Sequence, residues 1–525
     1  MGARATIVGL GAVALMAATN PGCGCGDDQT FGGTGCGSDC NQVCGDGLPM
    51  GLIGSYTSVA TAKDGTVWVS GYNDAPLDGT LTPGSLYGDL VVGKFDSGKK
   101  QVMWATVDGI PALPDGQKCA DNNPKGWRHG ISDAGPDVGL WTSMQLDPND
   151  HPMVVYYDAT NHQAKFAMSD GTNWAPPYSL MQKTQADFGR YAKMVIVNGN
   201  PVIAFLGMEK GANGYTRSRV IVGRANVPSP TSAASWTFED AAVDEQTPCA
   251  PAFCDAGQVC VPTGALGAGK IGACVAPIAG CTPADCGAGK ACVSVGGKAT
   301  CVASISATDP VSFPNAFGDY VSLANGPDGL GLVVYDRVRG NLIGVTNAGG
   351  KWNAAILDGQ IGANPDPMRK NTGDDGIACT LTIAPNKDWH IAYVNGIQEQ
   401  LQYMLVPGGA FAQAFKPEVI DDGTDSGKPY KDGIHIIGDD ASLQLDGSGN
   451  VIVVYQDSTA GALRYANGVA NGGTHKWTAH TVAQQNGFAG FFPRFVPNQP
   501  TLTNFYRKTD HTNRTVSGDV AFVSP

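Results

Sequence analysis

Short apolar runs bounded by turn-forming residues recur from about residue 50 to the end of the chain. A hydrophobic residue followed by glycine, as in Val138-Gly139, opens five copies, and two looser copies begin at Gly373 and Gly490. About 15 to 20 residues later, an apolar run ends in an aromatic residue that is usually followed by Asp or Asn, as in Tyr157-Asp158. Between them lies a turn such as Asp64-Gly65, whose residues tolerate the conformations that reverse an antiparallel pair. The pattern predicts that each copy begins with a β-hairpin.

Each copy then continues in the same way. A third apolar stretch follows the aromatic residue, and a Gly-rich turn that often contains Trp, as in 171–174, precedes a fourth. Four antiparallel strands in a unit of about 50 residues are the plan of a propeller blade. We therefore predict an all-β fold, a seven-bladed β-propeller with a small disulfide-rich insertion; tandem β-sandwiches are the alternative. The seven anchor glycines are Gly54, Gly139, Gly189, Gly318, Gly373, Gly438 and Gly490.

The spacing of these anchors suggests a domain plan. Two long gaps between anchors indicate insertions, and the last copy is short, so its outer strand is either missing or supplied by the N-terminal segment. The predicted parts are a signal peptide, a Cys/Gly-rich tether, blades 1–3, duplicated cysteine-rich modules and blades 4–7. Their boundaries are 1–22, 23–48, 49–245, 246–304 and 305–525, respectively.

The N-terminus predicts export. Arg4 precedes the apolar stretch Ile7–Ala18, which suits a signal peptide and is too short to span a bilayer. Gly22-Cys23 matches the last two positions of a bacterial lipobox, so both lipidation of Cys23 and ordinary secretion are open. The expected location is the outer membrane, as a lipoprotein, or the exterior, with membrane contact only through a lipid anchor.

Fifteen cysteines in an exported chain favour disulfides over zinc sites, for which no C-x2-C pair is present. Two groups repeat the spacing C-x4-C-x5-C with a later fourth cysteine. This unit resembles small EGF-like modules, which are too short to bury an adequate core and rely on covalent links. The two groups are Cys249, Cys254, Cys260 and Cys274, and Cys281, Cys286, Cys292 and Cys301.

The chain of 525 residues has a net charge of −13. This charge argues against nucleic acid as the main partner, because neutralisation of phosphates by cations dominates such binding. It is compatible with divalent cations, neutral sugars or simple solubility.

The repeats resemble exported bacterial β-propellers with Tyr-Asp-type copies, over roughly residues 50 to 525. The segment 64–68, Asp-Gly-Thr-Val-Trp, matches the D-G-x-x-W turn of regulator-type propellers. The resemblance implies a propeller fold and rests on short motifs.

Propeller geometry predicts one functional face, because the start of each first strand and the end of each second strand lie on the same rim. An acidic, aromatic face of this kind suits a glycan or a cation such as calcium. The alternative is that the repeated Asp and Asn residues accept N–H groups of their own turns. The candidate ligand-binding residues are Trp141, Arg190, Tyr191, Asp319, Asp374, Asp375, Asp439 and Asp440.

The chain contains no G-x-S-x-G motif of serine hydrolases, no H-E-x-x-H motif of metalloproteases and no P-loop. We therefore predict a non-catalytic cell-surface or periplasmic scaffold that binds a glycan, a cation or an envelope protein. The alternatives are a propeller enzyme acting on glycans, related to glycosidases or sialidases, and a structural component of an envelope assembly. Catalytic and metal-binding residues are not assigned by the sequence.

Overall fold

A computed structural model describes residues 52–74, 88–110, 135–261, 272–278, 281, 283–305, 316–359, 374–411, 415–425, 427–484, 487–510 and 515–525. Blade 1 contains β1 (Ile53–Thr61), β2 (Val67–Asn73), β3 (Asp89–Asp96) and β4 (Gln101–Asp108). Blade 2 contains β5 (Val138–Leu146), β6 (Pro152–Asp158), β7 (Gln163–Met168) and β8 (Tyr178–Met181). Blade 3 contains β9 (Ala186–Val197), β10 (Asn200–Lys210), β11 (Thr216–Ala225) and β12 (Trp236–Thr247).

The insertion follows blade 3 and contains β13 (Val259–Val261), β14 (Ala273–Val275), the short helix α1 (Pro283–Cys286), β15 (Lys290–Val295) and β16 (Lys298–Ala303). Blade 4 contains β17 (Phe317–Gly326), β18 (Gly329–Asp336), β19 (Asn341–Thr346) and β20 (Asn353–Asp358). Blade 5 contains β21 (Asp375–Ile383), β22 (Trp389–Asn395), β23 (Gln400–Val406) and β24 (Glu418–Asp421). Blade 6 contains β25 (Ile437–Leu445), β26 (Val451–Asp457), β27 (Ala462–Asn471) and β28 (Thr474–Gln484), and blade 7 contains β29 (Gly487–Phe495), β30 (Leu502–Asp510) and β31 (Thr515–Val523).

Each blade is an antiparallel sheet in chain order, and the first strands meet in a ring: each contacts the next, and β29 contacts β1. The predicted seven-bladed propeller is therefore confirmed, and the tandem sandwiches are not formed. Turn chemistry fits the prediction as well. At the β9–β10 turn, Asn198 and Gly199 both have positive φ, 50° and 83°, as a tight hairpin turn requires.

The core lies between blades. The second strand β6 is buried at every position, because it lies between two strands of its own sheet and between two neighbouring blades. This explains why second strands read as continuous apolar runs and not as alternating patterns. Every junction between neighbouring blades, including that between blades 7 and 1, contains a cluster of buried apolar side chains.

Side chains close the ring between blades 7 and 1. Val69 packs with Val520, and Trp104 donates its indole N–H to Asp519 over 2.9 Å. Blade 7 has three strands among the described residues. Leu52 forms a parallel bridge with Gly518 of β31, and the residues that precede Leu52, including Cys23 and the predicted signal peptide, lie outside the described part.

The insertion contains four disulfides, as predicted for the two cysteine groups. In each module the first cysteine pairs with the third and the second with the fourth. The pairs are Cys249–Cys260, Cys254–Cys274, Cys281–Cys292 and Cys286–Cys301. Disulfides of this number are consistent with an exported or extracellular protein. Phe253 of the first module packs into the core between blades 3 and 4, which attaches the insertion to the propeller.

Within the described residues, the search for a helix long and apolar enough to cross a membrane found none.

Candidate functional site: the wall of the central tunnel

All seven inner strands contain the same irregularity. Each begins with a glycine at positive φ, between 87° and 115°. Two residues later the strand has one more residue than its partner, so the antiparallel register shifts at the same point in every blade. The bulged residue is left-handed, a conformation that disfavours side chains with a Cβ by roughly 1–2 kcal/mol. The seven bulged residues are Tyr56, Trp141, Tyr191, Tyr320, Ala378, Asp440 and Phe492.

Five of these residues form what we call the aromatic arc: Phe492, Tyr56, Trp141, Tyr191 and Tyr320, from blades 7, 1, 2, 3 and 4. Their successive ring centroids are 4.6, 5.5, 4.9 and 5.0 Å apart, in tilted or edge-on arrangements. Such contacts between residues of different blades require that the bulged side chains turn towards the tunnel. Ala378 and Asp440 interrupt the arc at blades 5 and 6.

A second ring lies four residues after each anchor glycine, and we call it the fourth-position ring. In three blades a serine hydroxyl of this ring accepts a backbone N–H from the inner strand of the next blade. Ser58 accepts from Met144, Ser143 from Met194, and Ser322 from Leu381, over 2.9 to 3.0 Å. The seven members are Ser58, Ser143, Lys193, Ser322, Thr380, Ser442 and Arg494. Blades 3 and 7 therefore have a cation where other blades have a hydroxyl.

Two predicted residues flank the arc and are buried. Arg190 donates to Asp187 over 2.9 Å and lies 5.7 Å from the Trp141 ring and 5.1 Å from the Tyr157 ring. Asp319 is fully buried, and neither of its carboxyl oxygens has a hydrogen-bond partner. Burial raises its pKa well above the usual range, although Arg337 and Arg190 oppose the rise. Burial therefore favours the protonated form of Asp319, which can donate a hydrogen bond, more than it would for an exposed aspartate.

The gap in the arc is acidic. Asp440 accepts the N–H of Phe492, and burial together with the neighbouring Asp439 raises the pKa of Asp440 to about 6. Burial also raises the pKa of Asp439, which accepts a hydrogen bond from Ser458 over 3.2 Å. At neutral pH the gap therefore has a carboxylate, Asp440, that becomes neutral in mild acid.

The anchor of blade 5 was predicted wrongly. The glycine that opens β21 with positive φ is Gly376, at 112°, whereas Gly373 lies outside the described residues. Asp374 and Asp375 therefore precede the anchor. Asp374 accepts a hydrogen bond from Tyr335 of blade 4, and Asp375 accepts one from Asn395 over 3.0 Å. Burial, with a contribution from Asp358, raises the pKa of Asp375 to about 7.

Most repeated acidic residues accept hydrogen bonds from their own turns. Asp158 accepts from the N–H of Asn161, Asp336 from that of Val338, and Asp457 from that of Ala460, over 2.8 to 3.1 Å. This is the structural role that the sequence offered as the alternative to ligand binding.

The described residues do not bring carboxylates together for a calcium site. Groups of three metal-ligating side chains within 4.8 Å occur there only among cysteines of the two modules, and these cysteines form disulfides.

Sequence reasoning places Trp141, Tyr191, Tyr320, Asp440 and Phe492 on the candidate face. It leaves Tyr320 and Phe492 out of the candidate binding residues, and it misses Tyr56. The signal that identifies them is an aromatic residue two positions after the anchor. Lys193 and Arg494 were also missed, and their signal is a basic residue where other copies have Ser or Thr.

A cavity of about 420 Å³ opens near the opposite rim. It is lined by residues next to the turns of the first hairpins, among them Lys63, Gln145, Asp150 and Pro497. Lys63 forms an exposed ion pair with Asp150 at 3.6 Å. The cavity contains none of the predicted face residues.

Comparison of the sequence with protein-family descriptions and with curated proteins gave no match. Among solved structures, the chain is similar to polysaccharide lyase Uly1, with 8% identity, coverage of 91% of this chain and 90% of the other, and a TM-score of 0.40. It is also similar to a mutant of the Aleuria aurantia lectin in complex with Fucα1-6GlcNAc, with 12% identity, coverage of 82% and 96%, and a TM-score of 0.33. A third similarity is to the Hadza microbial sialidase Hz136, with 10% identity, coverage of 82% of this chain and 66% of the other, and a TM-score of 0.39.

Proposed function

We propose that this protein is an exported, non-catalytic binding protein that holds a saccharide against the aromatic arc. The arc is the observation that carries the proposal: five consecutive blades use the same bulge to direct an aromatic side chain towards the tunnel. Aromatic rings supply flat apolar surfaces, and a few polar groups beside them fix the orientation of a bound molecule. The C–H face of a sugar ring fits the first requirement, and its hydroxyls fit the second.

Unsatisfied polar groups beside the arc support a ligand with hydroxyls. The buried Tyr191 hydroxyl and both carboxyl oxygens of Asp319 lack hydrogen-bond partners. Leaving such groups unpaired costs about 1–3 kcal/mol each. Because both groups are buried, a sugar hydroxyl would reach them only if the side chains that cover them moved, and pairing would then recover part of this cost.

The test is a glycan-binding screen on the purified full-length protein, followed by calorimetry with the best ligand. We expect Trp141→Ala to weaken binding at least tenfold, which corresponds to about 1.4 kcal/mol, because it removes the central ring of the arc. The matched control is Trp477→Ala in β28. Trp477 lies on the outer strand of blade 6, where its ring packs on Tyr403 and its indole N–H donates a hydrogen bond to Glu418 of blade 5.

Two results would contradict the proposal. One is the absence of binding to every glycan in the screen, and the other is an equal loss of binding in the Trp141 and Trp477 variants. Circular dichroism of both variants separates loss of the site from loss of the fold.

A second candidate function is glycan cleavage, and the raised pKa values of two carboxyl groups favour it. Asp440, with a pKa of about 6, and Asp319, whose pKa is raised by burial, both act electrostatically on Tyr320. A carboxyl group with a raised pKa suits general acid catalysis. Incubation of the ligand with the protein, with release of reducing ends as the readout, distinguishes the two functions. Turnover that disappears in Asp440→Asn while binding persists would favour the enzyme.

A further inference from the structure

Lys193 and Arg494 are the two members of the fourth-position ring that are neither serine nor threonine. They belong to blades 3 and 7, which are separated by three blades on one side of the ring and two on the other. Both occupy the same register position, because Lys193 pairs with Ala204 and Arg494 with Thr503 in equivalent ladders. The ring geometry therefore places the two cations at the same depth, on opposing walls of the tunnel.

Side chains from four blades meet at this depth. Lys193 interacts electrostatically with Arg494 of blade 7, with Asp440 of blade 6 and with the buried Cys379 of blade 5. Blade 3 is not a neighbour of blades 5, 6 or 7 in the ring, so Lys193 approaches these residues across the tunnel. Two cations thus share the space with one ionisable acid, since the thiol of Cys379 is kept neutral by burial, which raises its pKa.

The positive charge at this position is not balanced by the protein. Within the described residues, neither Lys193 nor Arg494 has an acidic oxygen within 4.0 Å, although many other basic residues form such pairs. The hydrogen bond found for the Arg494 guanidinium is to the carbonyl of its neighbour Pro493, over 2.7 Å. Both side chains are partly buried, and a partly buried charge without a partner is unfavourable unless something outside the chain neutralises it.

These cations also replace a stabilising contact. Serines of the fourth-position ring connect blade 1 to 2, 2 to 3, and 4 to 5, and each such bond is worth about 1 kcal/mol. Lysine and arginine cannot accept the N–H of the next inner strand, so the junctions after blades 3 and 7 lack this bond. Burial, reinforced by Arg494, lowers the pKa of Lys193 to about 7, and burial lowers that of Arg494. Lys193 and Arg494 therefore do not supply the contact between blades that Ser58, Ser143 and Ser322 supply.

We propose that Lys193 and Arg494 form an anion-binding position inside the tunnel, so that the preferred ligand of the aromatic arc is an acidic saccharide whose carboxylate or sulfate lies between them. This inference rests on the proposed saccharide-binding function for the rest of the ligand. A guanidinium and an ammonium from opposite sides suit an anionic oxygen group, and charge-assisted hydrogen bonds are stronger than neutral ones.

The experiment compares three probes at matched ionic strength on the full-length protein: D-glucuronate, glucose 6-sulfate and glucose. Calorimetry gives the affinities, and mass spectrometry measures protection of Lys193 from acetylation. We expect at least one acidic probe to bind ten times more tightly than glucose and to protect Lys193. Lys193→Ser and Arg494→Ser should each abolish that preference, and both introduce the residue that other blades use, so the fold is retained. The surface variant Lys183→Ser, which removes an ion pair with Glu209, should keep the preference.

The affinity for the acidic probe should also fall as pH rises from 6 to 8.5. Lys193 loses its proton and Asp440 becomes fully ionised over this range, and both changes disfavour an anion. Arg494 stays charged throughout, and the neutral thiol of Cys379 does not contribute.

Equal affinity for acidic and neutral probes, or a preference that survives in both serine variants, would overturn the anion-binding position. The outcome for the proposed function is distinguishable. Protection of Lys193 by inorganic sulfate without binding of any saccharide would retain the anion position and refute the saccharide. Binding of neutral saccharides that depends on Trp141 but not on Lys193 would retain the saccharide-binding function and refute the anion-binding position.

Discussion

The substitution Lys193→Ser should make the folded protein more stable. In the wild type, the pKa of Lys193 falls from its ordinary value of 10.5 to about 7 on folding. A tenfold change in acidity is worth about 1.4 kcal/mol, so this fall corresponds to about 5 kcal/mol against the charged form. The pKa of about 7 already includes the attraction of Asp440. Screening by solvent reduces the effect further, and we expect about 2–3 kcal/mol to remain, in keeping with a high effective dielectric constant. A hydrogen bond from Leu323 to the new serine adds about 1 kcal/mol.

The sign of the pH dependence follows from the depressed pKa. Below pH 7 the lysine is protonated in both states, so the folded wild type bears the full cost. Between about pH 7 and 10.5 the unfolded chain holds a proton that the folded protein has released, and wild-type stability rises with pH. The advantage of the serine variant should therefore be greatest at pH 6 and should shrink to the contribution of the hydrogen bond near pH 10.

Urea unfolding of both proteins from pH 6 to pH 10, with disulfides intact, measures this difference. Urea is preferred to guanidinium because it does not screen charges. Arg494→Ser serves as a companion that removes the other cation. Arginine itself does not titrate over this range, so the effect should depend on pH less than that of Lys193→Ser, and chiefly through the pKa of Lys193 that Arg494 lowers. A serine variant that is less stable than wild type at pH 6, or whose advantage does not change with pH, would refute the account of Lys193 as an unneutralised cation.

Three further predictions concern the scaffold. Tyr393→Phe removes the hydroxyl that donates to Asp358 of the preceding blade and should lower the free energy of unfolding in urea by about 1–3 kcal/mol. The control Tyr506→Phe changes a half-buried tyrosine of blade 7 and should lower it less. Burial disfavours charge on His435, but hydrogen bonds to Asp457 and Asp432 raise its pKa. The stability that the wild type gains over His435→Gln should therefore be complete below pH 6 and should disappear as pH rises through the raised pKa. Urea midpoints measured across this pH range test the prediction. Replacement of Cys254 and Cys274 by serine opens a loop of 20 residues and should lower the stability of the module by about 3 kcal/mol. Limited proteolysis should then cut between residues 249 and 301 while the blades resist. Cutting within the blades at the same rate would show that the module does not unfold independently.

The blades could be predicted because their signals are local. Each depends on apolar runs and turn residues within about 50 positions, as at Val138-Gly139 and Tyr157-Asp158. The pairing of cysteines within each module also follows from short spacings, although the choice of first with third required the structure. Blade 5 shows the limit of prediction from local signals. An acidic residue, Asp375, stands where other copies have a hydrophobic residue before the anchor glycine, so the sequence pattern assigned the anchor to Gly373 instead of Gly376.

The sequence by itself determined the architecture of this protein, the number of its blades and the place of its insertion. Only the tertiary structure decided the candidate site, for two physical reasons. The bulge that turns Tyr56, Trp141 and Tyr320 towards the tunnel depends on pairing register, which hydrogen bonds of a whole blade set. Lys193 and Arg494 lie far apart in the chain, and they meet only because burial of apolar side chains between seven blades closes the ring around them.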